Sequence, residues 1–436
     1  MKRQRGTGHG RGGAVAYGRA AGALATALCA GLALPGGAWA AAAGDGGYAF
    51  DSGARPVKGA VSNLDAERLQ PGTTYRDSIK KDGKLYYRVD LDDKQNAYVS
   101  VVAVPRKGAR AAGYGDGIKV SMQDGSNSQC GYQNVSFTGD FTRPLAAYAH
   151  RTIEPESTSC TQAGAYYVLV ERDSKDGSDG GDWDLEIRYL TEPALTKAPG
   201  PTALPSDWAS GTPGPPGGGP QRRDGGAGFH DATSLTQGEW RTDLRPGQTA
   251  YYRVPVDWGQ QLFAGAELGS SPAGDAFVSN ALVLSLENPA RGHVDQESMT
   301  YSGDPATMAL DPERPVAYEN RFSSNDSTSA MRFAGWYYLS ATLSPELAKG
   351  YGDKPLPVTL KVSVTGKAKA APPYAGPAGE FSVTADDRDA AASGQSGPEI
   401  ERSGTFRVVG VAGIGAGSVL LLGLGAWWLL ARRRAG

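Results

Sequence analysis

The chain has 436 residues, with 44 basic and 46 acidic side chains, 61 glycines, 28 prolines and three cysteines. That length leaves room for two or three domains, and 40% hydrophobic with 21% charged residues is enough to build globular cores. Three cysteines exclude a disulfide-dense miniprotein, the glycine content is too low for collagen, and the near-neutral balance excludes a polybasic nucleic-acid binder.

Residues 1–40 read as a secretory signal peptide. Lys2, Arg3, Arg5, Arg11 and Arg19 make a basic head, 20–34 is uncharged and rich in Ala and Leu, and Ala38-Trp39-Ala40 is a small-x-small cleavage site after Pro35-Gly36-Gly37. Cys29 falls inside this segment, so the exported chain keeps Cys130 and Cys160. An even pair outside the cytoplasm predicts a disulfide; a catalytic or metal-binding pair has no His or further Cys at ligand spacing to support it.

A first domain is expected over 41–196. Residues 86–91 alternate, with Tyr87, Val89 and Leu91 on one face and Tyr86, Arg88 and Asp90 on the other, the pattern of a half-buried strand. Residues 97–104 continue as strand, and 166–171 with 183–189 suggest a closing hairpin. The loop 173–182 between them carries Asp173, Asp176, Asp179 and Asp182. Those carboxylates suit a calcium site by ligand type, but the spacing is not that of an EF-hand, and Asp with Gly between strands is ordinary turn chemistry.

Residues 197–228, which include the run Gly-Thr-Pro-Gly-Pro-Pro-Gly-Gly-Gly-Pro over 211–220, lack apolar periodicity and predict a linker. A second domain over 229–366 repeats the first. Asp65-Ala66-x-x-Leu69-x-x-Gly72 matches Asp231-Ala232-x-x-Leu235-x-x-Gly238. Tyr86-Tyr87-Arg88-Val89 matches Tyr251-Tyr252-Arg253-Val254, Tyr148-Ala149-His150-Arg151 matches Tyr318-Glu319-Asn320-Arg321, and Gly164-Ala165-Tyr166-Tyr167 matches Gly335-Trp336-Tyr337-Tyr338. The offsets drift only from 165 to 171 residues, as loop insertions between strands would produce. Tyr252, Val254 and Val256 line the inner face in this copy, Pro255 marks a strand end, and 337–343 with 358–364 suggest the second closing hairpin. Residues 367–406 read as a disordered stalk.

The C-terminus predicts a transmembrane helix over 407–431. Residues 408–430 carry no charge, enough at about 1.5 Å per residue to cross a bilayer. Trp427 and Trp428 lie near one end, and Arg432, Arg433 and Arg434 in the tail 432–436 act as a stop-transfer cluster that places the tail in the cytoplasm. Gly413 and Gly417 give one small-xxx-small pair, a spacing that permits helix pairing and is also common in single spans. Without residues 1–40 and the arginine cluster, 36 basic and 46 acidic side chains remain, a net of −10 that disfavours nucleic acid.

The Leu-x-x-Gly opening, the Tyr-Tyr-Arg-Val strand, the turn at Gly259-Gln260-Gln261 and the closing strands Gly335-Trp336-Tyr337-Tyr338-Leu339 and 358–362 together resemble the bacterial pre-peptidase C-terminal domain. They are also similar to paired exterior domains of actinobacterial surface proteins. The resemblance covers about two thirds of the chain and implies a jelly-roll-like β-sandwich that binds polymers or surfaces. The expected fold is therefore all-β, two tandem antiparallel jelly-roll-like sandwiches with one C-terminal transmembrane helix.

Candidate binding residues are the outward pairs Tyr86 with Arg88 and Tyr251 with Arg253, an aromatic–guanidinium stripe suited to stacking on a sugar or a partner. The plainer reading is Arg packed over Tyr between neighbouring strands. Trp240 and Trp258 are candidate exposed platforms, although tryptophan is more commonly buried. His150, His230 and His293 fit no catalytic signature, and neither a nucleophile elbow nor a phosphate loop occurs. The expectation is a non-enzymatic, single-pass surface protein for adhesion or scaffolding, without cofactor, its partners a membrane and a surface polymer or protein. The alternatives are an accessory or sensor subunit of a membrane complex, and a hydrolase with a dispersed site.

Overall fold

The computed structural model describes residues 47–402 except 114, 154–156, 198–202 and 215–216. The expected signal peptide, transmembrane helix, Gly413–Gly417 pair and basic tail lie outside the described residues. Among the described residues no helix is long and apolar enough to cross a membrane.

In the first copy the strands are β1 (Arg55–Pro56), β2 (Glu67–Arg68), β3 (Thr73–Ile79), β4 (Lys84–Leu91), β5 (Asn96–Val104), β6 (Gly117–Gln123), β7 (Gln129–Ser136), β8 (Leu145–Arg151), β9 (Gly164–Asp173) and β10 (Trp183–Glu192). In the second they are β11 (Gln221–Arg222), β12 (Thr233–Ser234), β13 (Gly238–Leu244), β14 (Thr249–Val256), β15 (Gln261–Leu268), β16 (Val278–Glu287), β17 (His293–Tyr301), β18 (Ala306–Ala309), β19 (Gly335–Leu343) and β20 (Leu356–Thr365). Among the described residues three short helices, α1 (Asp326–Ala330), α2 (Leu347–Tyr351) and α3 (Ala385–Ser393), lie in the second half.

Each copy forms two five-stranded sheets, ordered β1-β3-β10-β5-β8 and β2-β4-β9-β6-β7 in the first. The second copy repeats both orders strand for strand: β11-β13-β20-β15-β18 and β12-β14-β19-β16-β17. The repetition reaches the register, since Arg88 stands opposite Tyr167 as Arg253 stands opposite Tyr338. Alternation explains the layering. Tyr87 and Val89 of β4 turn inward to meet Val99 and Val101 of β5 and Leu185 and Ile187 of β10 from the opposite sheet, and Tyr252, Val254, Leu360 and Val362 do the same in the second copy. Each such aliphatic side chain contributes about 1.5–3 kcal/mol on burial, so each copy is a β-sandwich with its own core.

Several expectations change. The hairpins 166–171 with 183–189 and 337–343 with 358–364 do not form: β9 pairs with β4 and β6, while β10 pairs with β3 and β5 in the other sheet. The match of 148–151 to 318–321 is not structural either. The first lies in β8 and the second in a 3-10 turn, Tyr318–Phe322, while β18 occupies the place of β8. The second copy starts earlier than residue 229, because β11 pairs with β13 as β1 pairs with β3. Parts of the linker are fastened down: Gln261 Nε2 donates to Ala209 O (2.7 Å), and Arg314 reaches Pro205 O. Pro255 does sit one residue before the end of its strand.

The disordered stalk expected over 367–406 is replaced, through residue 402, by a docked segment. Tyr374 pairs with Leu195, Phe381 is buried against Phe333 (ring centroids 4.5 Å apart), and α3 packs Ala390 and Ala391 inward. The acidic run read as stalk is the first turn of α3. Thr384 Oγ1 accepts from Asp387 N while Asp387 accepts from Thr384 N, a reciprocal cap that also places carboxylates at the positive end of the helix.

Cys130 and Cys160 form the expected disulfide, 30 residues apart. By loop-closure entropy it contributes about 3–4 kcal/mol. It ties β7 to the segment that leads into β9.

Candidate functional site

The two sandwiches meet back to back. The outer face of the β1-β3-β10-β5-β8 sheet covers the outer face of the β12-β14-β19-β16-β17 sheet, and two apolar clusters fill the seam. Val102, Ala146, Tyr251, Trp336 and Tyr338 belong to one; Tyr98, Tyr148, Leu190, Phe333 and Phe381 belong to the other. Alternate residues of β10 that point away from its own core supply two buried carboxylates. Glu192 accepts from both terminal nitrogens of Arg321 (2.8 and 3.1 Å), and Glu186 accepts from Arg291 (2.5 Å). The matching positions of β20 are Thr359 and Thr365, with Ser363 in place of Leu190, which leaves that face polar.

Beside this seam opens a cleft of about 490 Å³. Its walls come from β10 (Arg188), β14 (Arg253), β19 (Trp336, Tyr338), the β16–β17 turn (Arg291), and the segments around Phe229 and Glu380. The β16–β17 turn is built for its task. Asn288 Oδ1 accepts from Ala290 N and Gly292 N, and Arg291 takes a left-handed φ of 59°, which aims its side chain across the seam. Arg291 also lies over the Phe229 ring, 5.1 Å from its centroid. Arg188 pairs with Glu380 (2.6 Å) and Trp336 Nε1 donates to Asp387 (3.0 Å).

Arg253 is the central side chain. Only 8% of it is exposed. Its Nε donates to Ser234 Oγ (2.9 Å), its guanidinium lies 4.3 Å from the centre of the Trp336 ring, and its Nη2 is buried without a hydrogen-bond partner. Burial pushes its pKa below the usual arginine value. The C-terminal segment crosses beside it. At Gly397 a Cβ would lie 2.5 Å from His230 O, so glycine is what allows that approach.

The sequence-predicted residues therefore part company. Tyr86 is half-buried and Arg88 exposed on an open face, where Arg88 pairs with Asp90 (2.7 Å). Tyr251 and Arg253 belong to the same sheet face in the second copy but are covered by the first sandwich and the C-terminal segment. Tyr251, 2% exposed, packs against Phe229 and Tyr48. Trp240 and Trp258 are not exposed platforms: both are buried, and Trp240 Nε1 donates to Thr236 O (2.9 Å). The three histidines stand on separate elements, His150 in β8, His230 ahead of β12 and His293 at the start of β17. In the loop 173–182, Asp173, Asp176, Asp179 and Asp182 are exposed, and the carbonyls of Asp179 and Gly181 accept from Arg172, whose guanidinium stacks on Trp183 (3.9 Å). Among the described residues no three His, Cys, Asp or Glu side chains are grouped to hold a metal. Arg188, Arg291 and Phe229 carried no signal in short motifs; the repeated segments Tyr251-Tyr252-Arg253-Val254 and Gly335-Trp336-Tyr337-Tyr338 were the pointers to the cleft.

A second buried carboxyl lies elsewhere along the seam. Glu287, at the end of β16, is buried with Oε2 unpartnered, and the charge facing it is Arg143 of the first copy. Burial pushes its pKa up to about 8, Arg143 offsetting part of the rise. The folded value is the higher one, so this contribution to stability is full below about pH 4.5 and is lost as pH rises through 8. Burial holds His293 down at about 4 and His150 at about 3, so their effect falls on the acid side of 6.5. Glu313, raised to about 7 by burial, is common to both proteins and cancels in a comparison. Between pH 6.5 and 8 the unaltered chain is expected to lose about 2 kcal/mol more stability than Glu287→Gln, at about 1.4 kcal/mol per pH unit. Denaturant titration of both at the two pH values measures it; equal losses refute the assignment.

No protein-family model matches the chain, and comparison with curated proteins returns no match. Solved structures similar to it include the Broad Bean Stain Virus particle (8% identity, 74% of this chain and 95% of that one, TM-score 0.19). The tandem CBM22 domains of a Paenibacillus barcinonensis protein share 12% identity over 73% of this chain and 100% of theirs, with a TM-score of 0.17. The PBSX exported protein XepA shares 11% over 73% and 98%, with a TM-score of 0.20. TM-scores this low assign neither a fold family nor a function, and none of the three is a pre-peptidase C-terminal domain.

Proposed function

We propose that this chain is a non-enzymatic cell-surface protein. Residues 1–40 export it, a single span over 407–431 anchors it with the C-terminus in the cytoplasm, and two jelly-roll-like sandwiches of the pre-peptidase C-terminal type serve adhesion or scaffolding by holding a surface polymer or protein. The observation that carries the reading is the seam. Two buried ion pairs and two apolar clusters join the sandwiches into one body, so the walls of the cleft come from both copies and are fixed relative to each other. The disulfide suits an oxidising exterior. Protease added to intact cells is expected to digest the region 41–406 and spare a tag placed after residue 436. The purified full chain in detergent is expected to sediment with insoluble surface polymer or to capture a surface protein. A body protected from protease, or no retention on any surface fraction, overturns the proposal.

A further inference from the structure

The lining of the interdomain cleft selects its ligand by charge. Three guanidinium groups, Arg188, Arg253 and Arg291, face four carboxylates, Asp51, Glu380, Asp387 and Glu401. A polyanion or polycation gains little from so balanced a wall. Arg188 and Arg291 already hold Glu380 and Glu186. Arg253 lines the cleft as well, and one of its nitrogens, Nη2, is a buried donor without an acceptor. Leaving such a donor unmet is costly. Asp51 and Glu380, beside it, keep acceptor capacity beyond the bonds they already make. Hydroxyl groups both accept and donate. The remaining wall is aromatic, from Phe229, Trp336 and Tyr338, and suits the carbon face of a ring. The volume of about 490 Å³ falls in the usual range for small-molecule sites, about 300–1,000 Å³.

We infer that the cleft takes an uncharged, hydroxyl-rich ring, a saccharide unit, with one hydroxyl oxygen accepting from the Arg253 guanidinium and its neighbours donating to Asp51 or Glu380. This rests on the surface-binding reading above and names the ligand class of that site. The test is tryptophan fluorescence of the full chain, with Trp336 as the reporter in the cleft, titrated with glucose, galactose, N-acetylglucosamine, glucuronate and glucose 6-phosphate. A saturable change with at least one neutral sugar is expected, stronger than with either anion and accompanied by a rise in Tm. Arg253→Met is expected to weaken that binding at least tenfold, and Arg88→Met, its exposed counterpart in the first copy, to leave it unchanged. The ligand-induced rise in Tm of the unaltered chain keeps the test decisive should Arg253→Met not fold. Binding of the anions alone, no response to any of the five sugars, or unchanged affinity in a folded Arg253→Met overturns the inference. Equal retention of the unaltered chain and Arg253→Met on surface polymer, with no sugar response, removes the saccharide assignment and leaves the surface-binding reading standing. Sugar binding without any polymer retention does the reverse.

Discussion

Glu192→Ala is expected to destabilise the protein by about 3–5 kcal/mol, the range found when one member of a fully buried ion pair is removed. Glu192 and Arg321 are both inaccessible to solvent, and the carboxylate is a hub: it accepts from Asn96 (2.8 Å), Tyr98 (2.8 Å), Tyr374 (2.6 Å) and twice from Arg321. Its loss strands one guanidinium and three neutral donors in the seam. Burial raises the Glu192 pKa, but Arg321 and these hydrogen bonds more than offset it and hold the group below the ordinary glutamate value. Because the folded pKa is the lower one, the contribution is present above about pH 4.5 and is lost as pH falls through the folded value. Glu192→Ala should therefore cost most near neutrality and least in acid, which denaturant titration across pH 3–7 measures. Glu192→Leu combined with Arg321→Met removes both charges and is expected to lose less than Glu192→Ala alone. A single variant as stable as the parent at pH 7 would show that the pair does not hold the seam.

The sandwiches themselves were legible in the sequence because period-two alternation reports directly which face is inward. Tyr87, Val89, Tyr252 and Val254 are core residues, as their spacing implies. The seam was harder to read. Its signal is the failure of alternation: β5 reads Asn-Ala-Tyr-Val-Ser-Val-Val-Ala-Val, apolar on both faces, and all but its last residue are buried. A strand of that kind is covered on both sides, and the second cover here is another domain. Glu186 and Glu192, in turn, look like solvent-facing residues of an amphipathic strand until Arg291 and Arg321 are brought to them from more than a hundred positions away. The C-terminal segment was misread for a related reason. Composition placed Ala, Pro, Gly and Asp in a stalk, whereas Thr384 and Asp387 form a cap, and single aromatic residues, Tyr374 and Phe381, fasten the segment to the seam.

The outer stripe of β4 and β14 shows how duplication separates shape from use. Both copies keep Tyr-Tyr-Arg-Val in the same register, but only in the second does another sandwich lie over the stripe. The first copy leaves Arg88 in water with Asp90 as its partner, while the second buries Arg253 beside Trp336 with one nitrogen unmet. The same motif is surface in one copy and cleft floor in the other, which is why local sequence alone ranks the two equally.

Glu186→Ala is the second large effect expected, about 3 kcal/mol, at the lower end of the range because Arg291 borders the cleft and can draw on water there. Glu186 accepts from Arg291, from Tyr48 Oη (3.0 Å) and from Asp51 N (2.8 Å), so the substitution frees the segment around Tyr48 as well as stranding Arg291, whose Nε already lacks a partner. Glu186 and Glu192 lie six residues apart on one strand, about 20 Å, and share no partner among their hydrogen bonds. Their effects should then add, to about 6–8 kcal/mol, which is comparable to the whole stability of a typical domain. Each sandwich nevertheless keeps its own core, so the double variant is expected to come apart at the seam before either copy unfolds. Small-angle scattering should show a larger radius of gyration, calorimetry should resolve two transitions, and circular dichroism should retain the strand signal. The saccharide response should vanish with them, since Arg188 and Arg253 come from different copies and bound the same cleft only while the seam is closed. A double variant that unfolds in one transition with the compactness of the parent would mean that the apolar clusters, and not the buried charges, hold the two copies together.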